Sequence, residues 1–260
     1  MPKFAANLSM MFTEVPFLER FGEAARAGFR GVEFLFPYEF PAETIKAELD
    51  THGLELVLFN MPPGDWVKGE RGIACHPKRV AECRAGVDKA IEYAQALGCA
   101  KLHLMAGIAP KDESPERLRE TDVANVRFAG EAVAAHGLSL MLEAINVRDV
   151  PGFYLNTSRQ ALSVVDEVNL PNVFFQFDAY HMQVMEGDLS HTLRTHLAKI
   201  GHVQVADTPG RHEPGTGEIN YPFLFSLLDE IGYQGWIGCE YRPKTTTADG
   251  LGWLPRNRVS

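Results

Sequence analysis

Ser139-Leu140-Met141-Leu142-Glu143-Ala144 is a short apolar run that closes on a carboxylate. The same design recurs three times downstream, as Val173-Phe174-Phe175-Gln176-Phe177-Asp178, His202-Val203-Gln204-Val205-Ala206-Asp207 and Trp236-Ile237-Gly238-Cys239-Glu240-Tyr241. Runs of this length, rich in branched and aromatic residues, read as strands. Successive side chains on a strand face opposite ways. One parity collects Leu140, Leu142, Val173, Phe175, Phe177, Val203, Val205, Ile237 and Cys239, an apolar set suited to packing against helices. The other parity includes Glu143, Asp178, Gln204 and Glu240, each toward the C-terminal end of its own strand. Asp207 has the parity of Val203 and stays outside that set.

Working outward, strands are expected at 4–11, 31–36, 55–61, 101–107, 139–145, 173–179, 202–207 and 235–241. Helical spacing fills the intervals. Val80, Cys83, Val87, Ile91, Ala94 and Leu97 share one face of a helix over 77–97. Ser114 and Pro115 open a helix over 115–135 that Gly137 follows. Thr157-Ser158-Arg159-Gln160 is a capping box before a helix over 158–168. Asp188 is expected to cap a helix carrying Leu189, Leu193 and Leu197, and Gly232 to end one over 220–231. Eight alternating units of about 32 residues match a (β/α)₈ TIM barrel. The rival, an open doubly wound sheet, often has a glycine-rich turn after its first strand. Here Asn7-Leu8-Ser9-Met10-Met11 stands in that place. No linker or low-complexity segment divides the chain, so residues 1–260 read as a single barrel domain. Two longer loops, 62–76 and 208–219, fall on the C-terminal face, where barrel active sites lie. Gly215-Thr216-Gly217 in the second forms no phosphate-binding fingerprint.

Composition narrows the function. The 260 residues are 45% hydrophobic and 23% charged, which excludes disorder, collagen-like repeats and a disulfide scaffold. The formal net charge is −9, from 25 Lys+Arg against 34 Asp+Glu, with no basic run. That argues against a nucleic-acid partner and against an anionic membrane surface. Cys75, Cys83, Cys99 and Cys239 form neither a CxxC pair nor zinc-finger spacing, and read as free thiols of a reducing cytosol. The apolar N-terminal stretch is cut off by Glu14 and Pro16, too short to span a membrane and without a small-residue cleavage site. The expected location is cytoplasmic. The sequons at Asn7 and Asn156 matter only in a secreted chain.

Inward charges are costly unless paired or bound to a metal. Three carboxylates and an amide converge, and no Lys or Arg shares their parity on these four strands. Oxygen ligands select a hard divalent ion, Mg²⁺ or Mn²⁺, held by Glu143, Asp178, Gln204 and Glu240. Such an ion can chelate a carbonyl and its neighbouring hydroxyl and stabilise an enediolate. Glu143 and Glu240 then form an acid/base pair, one removing a proton and the other handling its return. The product is an aldose–ketose isomer or an epimer.

The chain resembles the hydroxypyruvate isomerase family, including 2-oxo-tetronate isomerases, of the xylose-isomerase-like barrels. The resemblance runs through FAANLSMMFTEVPF at 4–17, GVEFLFPY at 31–38, RHEPGTGEINYP at 211–222, GYQGWIGCEY at 232–241 and GLGW at 250–253. It implies a metal site at Glu143, Asp178, Gln204 and Glu240, with the two glutamates as proton donor and acceptor. Many relatives in the wider superfamily have His where Gln204 stands. It also implies a small-molecule substrate bearing a carboxylate, for which Arg211 is the expected partner. His181 follows Asp178 by three residues, a spacing similar to one that contributes to the site in sugar epimerases, and is expected to bind substrate, by hydrogen-bonding a substrate oxygen or by orienting a ligand.

Other positions stay open: Asn7, Trp66, Glu70, His103, His212, Glu213, Glu218 and Asn220. So does the oligomeric state, from monomer to homo-tetramer. Three functions compete. The first is an isomerase of hydroxypyruvate and tartronate semialdehyde, or of 2-oxo-tetronate and 3-oxo-tetronate, with a sugar 3-epimerase as its close variant. The second is a multi-zinc phosphodiester hydrolase, disfavoured by the negative charge and by nine His that lie mostly outside strand ends. The third is a barrel that binds a sugar acid without turning it over.

Overall fold

The computed structural model describes residues 2–254; Met1 and residues 255–260, the outermost parts of the expected domain, lie outside the described residues. Eight strands close into a barrel in chain order: β1 (Lys3–Asn7), β2 (Gly31–Phe34), β3 (Glu55–Asn60), β4 (Lys101–His103), β5 (Ser139–Glu143), β6 (Val173–Asp178), β7 (Ile200–Gln204) and β8 (Trp236–Cys239). Every neighbouring pair is parallel, including β1 with β8. Helices α1 (Arg20–Arg26), α2 (Ala42–His52), α3 (Val80–Leu97), α4 (Pro115–Ala134), α5 (Ser158–Val168), α6 (Ala179–Met185), α7 (Leu189–His196) and α8 (Tyr221–Glu230) fill the connections. Among the described residues, no helix is long and apolar enough to cross a membrane.

The helix starts follow local chemistry. Ser114 accepts from the Arg117 amide at 3.2 Å, with Pro115 at the first helical position of α4. Thr157 accepts from the Gln160 amide at 3.3 Å, and the Gln160 side chain reaches back to the Asn156 amide at 3.0 Å. Each such cap contributes about 1 kcal/mol. Asp188 does stand before α7, but its φ of 45° turns the side chain away and it makes no capping bond.

Every strand stops earlier than expected, β1 and β4 the most, at Asn7 and His103. The Asn7 carbonyl accepts from the amides of Met10 and Met11 at 3.1 and 2.8 Å, which curls the chain off β1 at once. Beyond His103 the backbone pairs instead with loops, in antiparallel bridges between Gly72 and Ala106 and between Ile108 and Phe153.

The alternation sorts the side chains as the parity reading requires. Leu140, Leu142, Phe175, Phe177, Val203, Val205, Ile237 and Cys239 are buried in the main apolar core. The opposite parity carries Met141, Phe174 and Trp236, which pack with Ala5, Val57 and Leu58 in a second, smaller cluster. That cluster closes the interior toward the N-terminal end, and polar residues take over above it. All four cysteines are free and buried.

Candidate active site

Glu143, Asp178 and Gln204 are the last residues of β5, β6 and β7, and Glu240 follows β8 directly. The register pairs Glu143 with Gln176, Asp178 with Gln204, and Gln204 with Gly238, so the polar positions climb the barrel by stagger. All four side chains are buried. Glu143 and Glu240 line a cavity of about 830 Å³, shared with His181, Arg211, Trp66 and Arg71.

Arg211 supplies a cation that reading the strands alone did not reveal. Its Nη2 lies 3.1 Å from Glu240 Oε2 and 3.6 Å from Asp178 Oδ2. Its guanidinium stands over the Tyr180 ring, 5.2 Å from the centroid. Burial works against its charge, and Glu240, Asp178 and Glu143 outweigh that, so its pKa is raised. The loop that delivers Arg211 hangs from Asp207. That carboxylate accepts four backbone amides, from Thr208, Gly215, Gly217 and Ile219, at 2.9–3.1 Å. Asp207 thus earns its buried position as a loop anchor, consistent with its outward parity.

A Cβ on Gly217 would collide with the Thr208 carbonyl and the Asp207 carboxylate. Gly217→Ala is therefore expected to shift the loop and Arg211 with it. A misplacement on the order of 1 Å costs about 10²-fold in rate. Turnover should fall by about that factor while far-UV circular dichroism stays that of the barrel; wild-type turnover would contradict the role given to the loop.

The carboxyls are pushed toward their protonated forms. Burial raises Glu143 well above the usual range, reinforced by Glu240 and Asp178 and opposed by Arg211. Burial also raises Glu240 and Asp178, with Arg211 pulling both down. His181 is depressed well below its ordinary value, first by burial and then by Arg211 and His103.

Two oxygens in this group, Glu143 Oε1 and Asp178 Oδ2, are buried without a hydrogen-bond partner. Hard oxygen donors left in that state fit a divalent cation. Ligand atoms of Glu143, Asp178 and His181 lie within 4.8 Å of one another. Gln204 is more committed: its Oε1 accepts from Gln176 at 2.7 Å and its Nε2 donates to Glu33 at 2.8 Å. A carbonyl oxygen has two lone pairs, so one remains for a ligand.

Glu33 is the chief residue that the sequence reading missed. It is fully buried beneath the site and accepts from Asn7 Nδ2 at 3.1 Å and from Gln204 Nε2, while His202 Nε2 lies 2.8 Å from its second oxygen. A Cβ on Gly238 would collide with that carboxylate, which explains the gap in β8 at this level. The signal was there: in Gly31-Val32-Glu33-Phe34, Glu33 has the parity opposite to the apolar pair.

The open positions now have places. Asn7 joins the Glu33 network. His103 Nδ1 meets Asn60 Oδ1 at 3.2 Å, its Nε2 lies 3.8 Å from Glu143 Oε2, and burial lowers its pKa to about 3. Trp66 lines the cavity and carries Arg71 stacked at 3.8 Å. Glu70 is a loop strut, bound to Arg79 at 2.7 Å. His212 is bound to the Arg242 carbonyl at 2.8 Å, and Glu213 accepts from the Lys244 amide at 2.9 Å. Asn220 caps α8, and Glu218 touches Gln183 at 3.4 Å.

Residues 21–257 match the family described as xylose isomerase-like TIM barrel. The chain is 51% identical over 254 residues to a 2-oxo-tetronate isomerase of Cupriavidus necator, covering 98% of each chain. It is 50% identical over 254 residues to a hydroxypyruvate isomerase of Escherichia coli, again covering 98% of each. A crystal structure from Brucella melitensis, described as an AP endonuclease of family 2, superposes with a TM-score of 0.95 at 51% identity, covering 97% of this chain and 98% of that one.

Proposed function

The chain belongs to the hydroxypyruvate isomerase family of xylose isomerase-like TIM barrels, and from that membership we propose how this isomerase works and on what. The substrates are small carboxylated hydroxy-carbonyl compounds, either hydroxypyruvate with tartronate semialdehyde or 2-oxo-tetronate with 3-oxo-tetronate. The observation that carries the mechanism is the placement of Glu143 and Glu240 in one cavity, both pushed toward protonation, with Arg211 bound to the second.

Two protons must move. One leaves the hydroxyl-bearing carbon and returns to the former carbonyl carbon. The other passes from the hydroxyl oxygen to the former carbonyl oxygen. A pair of buried carboxyls that repel one another keeps a proton near neutrality, so one member can receive while the other donates. Arg211 holds Glu240 in place and carries a buried Nε–H without a partner. A substrate carboxylate satisfies that donor. His181 donates to a substrate oxygen. Glu143, Asp178, Glu240 and Gln204 would hold a divalent ion, Mg²⁺ or Mn²⁺. Such an ion, when bound, supplies electrostatic stabilisation of charge developing on the substrate's oxygens.

The name of the Brucella melitensis relative would point to phosphodiester hydrolysis. Against it stand the net charge of −9 and the finding, among the described residues, of one three-residue cluster of metal-ligating type. A multi-zinc site needs more such ligands, and a DNA face needs positive charge.

The test is proton exchange in D₂O followed by NMR. Deuterium is expected at the carbon beside the carbonyl, with the isomer appearing, for hydroxypyruvate or 2-oxo-tetronate; the faster substrate identifies the activity. EDTA should abolish exchange and Mg²⁺ or Mn²⁺ restore it. Appearance of a 3-epimer instead would favour the epimerase variant, and binding of both compounds without exchange would leave the non-catalytic barrel.

A further inference from the structure

We infer that Asn146 fixes the proton of His181 on Nε2, so that His181 is a hydrogen-bond donor in the reaction and stands outside the metal-ligand set. His181 Nδ1 lies 3.3 Å from the Asn146 backbone amide, which can only donate. It also lies 2.7 Å from Asn146 Nδ2. The orientation of that side-chain amide is itself settled by a backbone group. Asn146 Oδ1 accepts from the Asp149 amide at 2.8 Å, so the nitrogen must be the end turned to His181. Asp149 Oδ2 receives a further bond from Asn146 Nδ2 at 3.2 Å and is held in turn by the Tyr180 hydroxyl at 2.8 Å.

Two donors meet at Nδ1, so Nδ1 is the lone-pair nitrogen. The ring is then neutral and its one hydrogen is on Nε2. That N–H faces the gap between Asp178 Oδ2 at 3.6 Å and Glu143 Oε1 at 3.9 Å. Neither oxygen accepts a hydrogen bond. Proximity alone groups His181 with Glu143 and Asp178 as a metal triad. A nitrogen that carries a proton has no lone pair to offer a metal, so the third member of that triad is a donor instead. It suits the substrate oxygen on which charge grows. Asn146 is a positioning residue here: it touches no reacting atom and acts through His181. The kinetic part of this inference rests on the isomerase reading; the tautomer does not.

The test uses the full chain labelled with ¹⁵N-histidine, with His181→Gln identifying the His181 signals. Long-range ¹H–¹⁵N correlation is expected to show Nε2 protonated and Nδ1 bare, with and without Mg²⁺. A bare Nε2 in either state overturns the proposal. Asn146→Ser keeps the backbone donor and should keep that spectrum. Asn146→Asp places an acceptor against Nδ1, and the proton should move there. With it, kcat should fall by about 10²–10³-fold with little change in KM, the cost of a histidine held in the wrong tautomer. An Asp variant with the shifted proton and wild-type kcat overturns the donor role. If the wild type turns over neither substrate yet shows Nε2 protonated, the isomerase reading fails and the tautomer stands.

Discussion

Glu143→Gln and Glu240→Gln are each expected to abolish isomerisation while ligand binding survives. Removing a positioned acid or base costs about 10²–10⁴-fold, and here each carboxyl has a distinct proton to handle, so a loss of about 10³-fold or more is expected for either. The Gln side chain keeps the shape and one acceptor oxygen, so at position 240 it still receives Arg211 Nη2, now 3.1 Å from the carboxylate. Stability separates a catalytic role from a structural one. Burial and neighbouring carboxylates raise both carboxyls, Glu240 and Asp178 acting on Glu143, and Asp178 and Glu33 on Glu240, so a neutral side chain relieves strain in the folded state. The inactive variants should melt at or above the wild-type temperature. Calorimetric titration with tartronate, which has the carboxylate and hydroxyl without the reactive carbonyl, checks binding. Retained exchange in either variant would remove that residue from the pair. Loss of activity together with a lowered melting temperature would make it structural.

The reach of the sequence in this site has a physical boundary. Parity on β5 to β8 put Glu143, Asp178, Gln204 and Glu240 on the inner face because the outer face must be apolar to meet helices, and the burial of Leu142, Phe177, Val203 and Ile237 agrees. The same rule on β2 reaches Glu33, whose parity is opposite to that of Val32 and Phe34. On β5 to β8 themselves no Lys or Arg shares the parity of the carboxylates. Arg211 comes from a loop, its direction set by Asp207 and by a positive φ of 54° that no periodicity reports. Asn146 is illegible for a related reason. It lies past the end of β5, where alternation stops, and its role depends on which end of an amide faces His181. Asp122 was legible as an anomaly. It falls in the stripe of Leu118, Val126, Ala129 and Val133 on α4, where helical spacing predicts an apolar side chain.

That anomaly yields the second large effect: Asp122→Asn should stabilise the fold at neutral and alkaline pH and leave it nearly unchanged in acid. Asp122 is completely buried, and neither of its carboxyl oxygens has a hydrogen-bond partner. Burial pushes its pKa from 3.8 to about 7, with Arg119 opposing. Arg119 gives its hydrogen bonds to Ser163 and Glu167 instead. In the unfolded chain the carboxyl ionises near its ordinary value. Between the two values the folded state holds a proton that the unfolded state has released, so stability falls as pH rises. The fall is complete once pH passes the folded value, and the rise from 3.8 to about 7 amounts to about 4 kcal/mol. Asn has nearly the same shape and no charge to form, so its stability lacks that slope. The melting temperatures of the two proteins should lie close together near pH 4. Between pH 5 and pH 8 the variant's advantage should widen by about 5–10 °C, from the usual conversion of free energy to melting temperature at this chain length. Scanning calorimetry over that range measures it. A constant gap across the range would mean that Asp122 is already ionised in the fold. It would then need a partner for its charge, and the buried carboxyl would be a support of α4 in place of a burden on it.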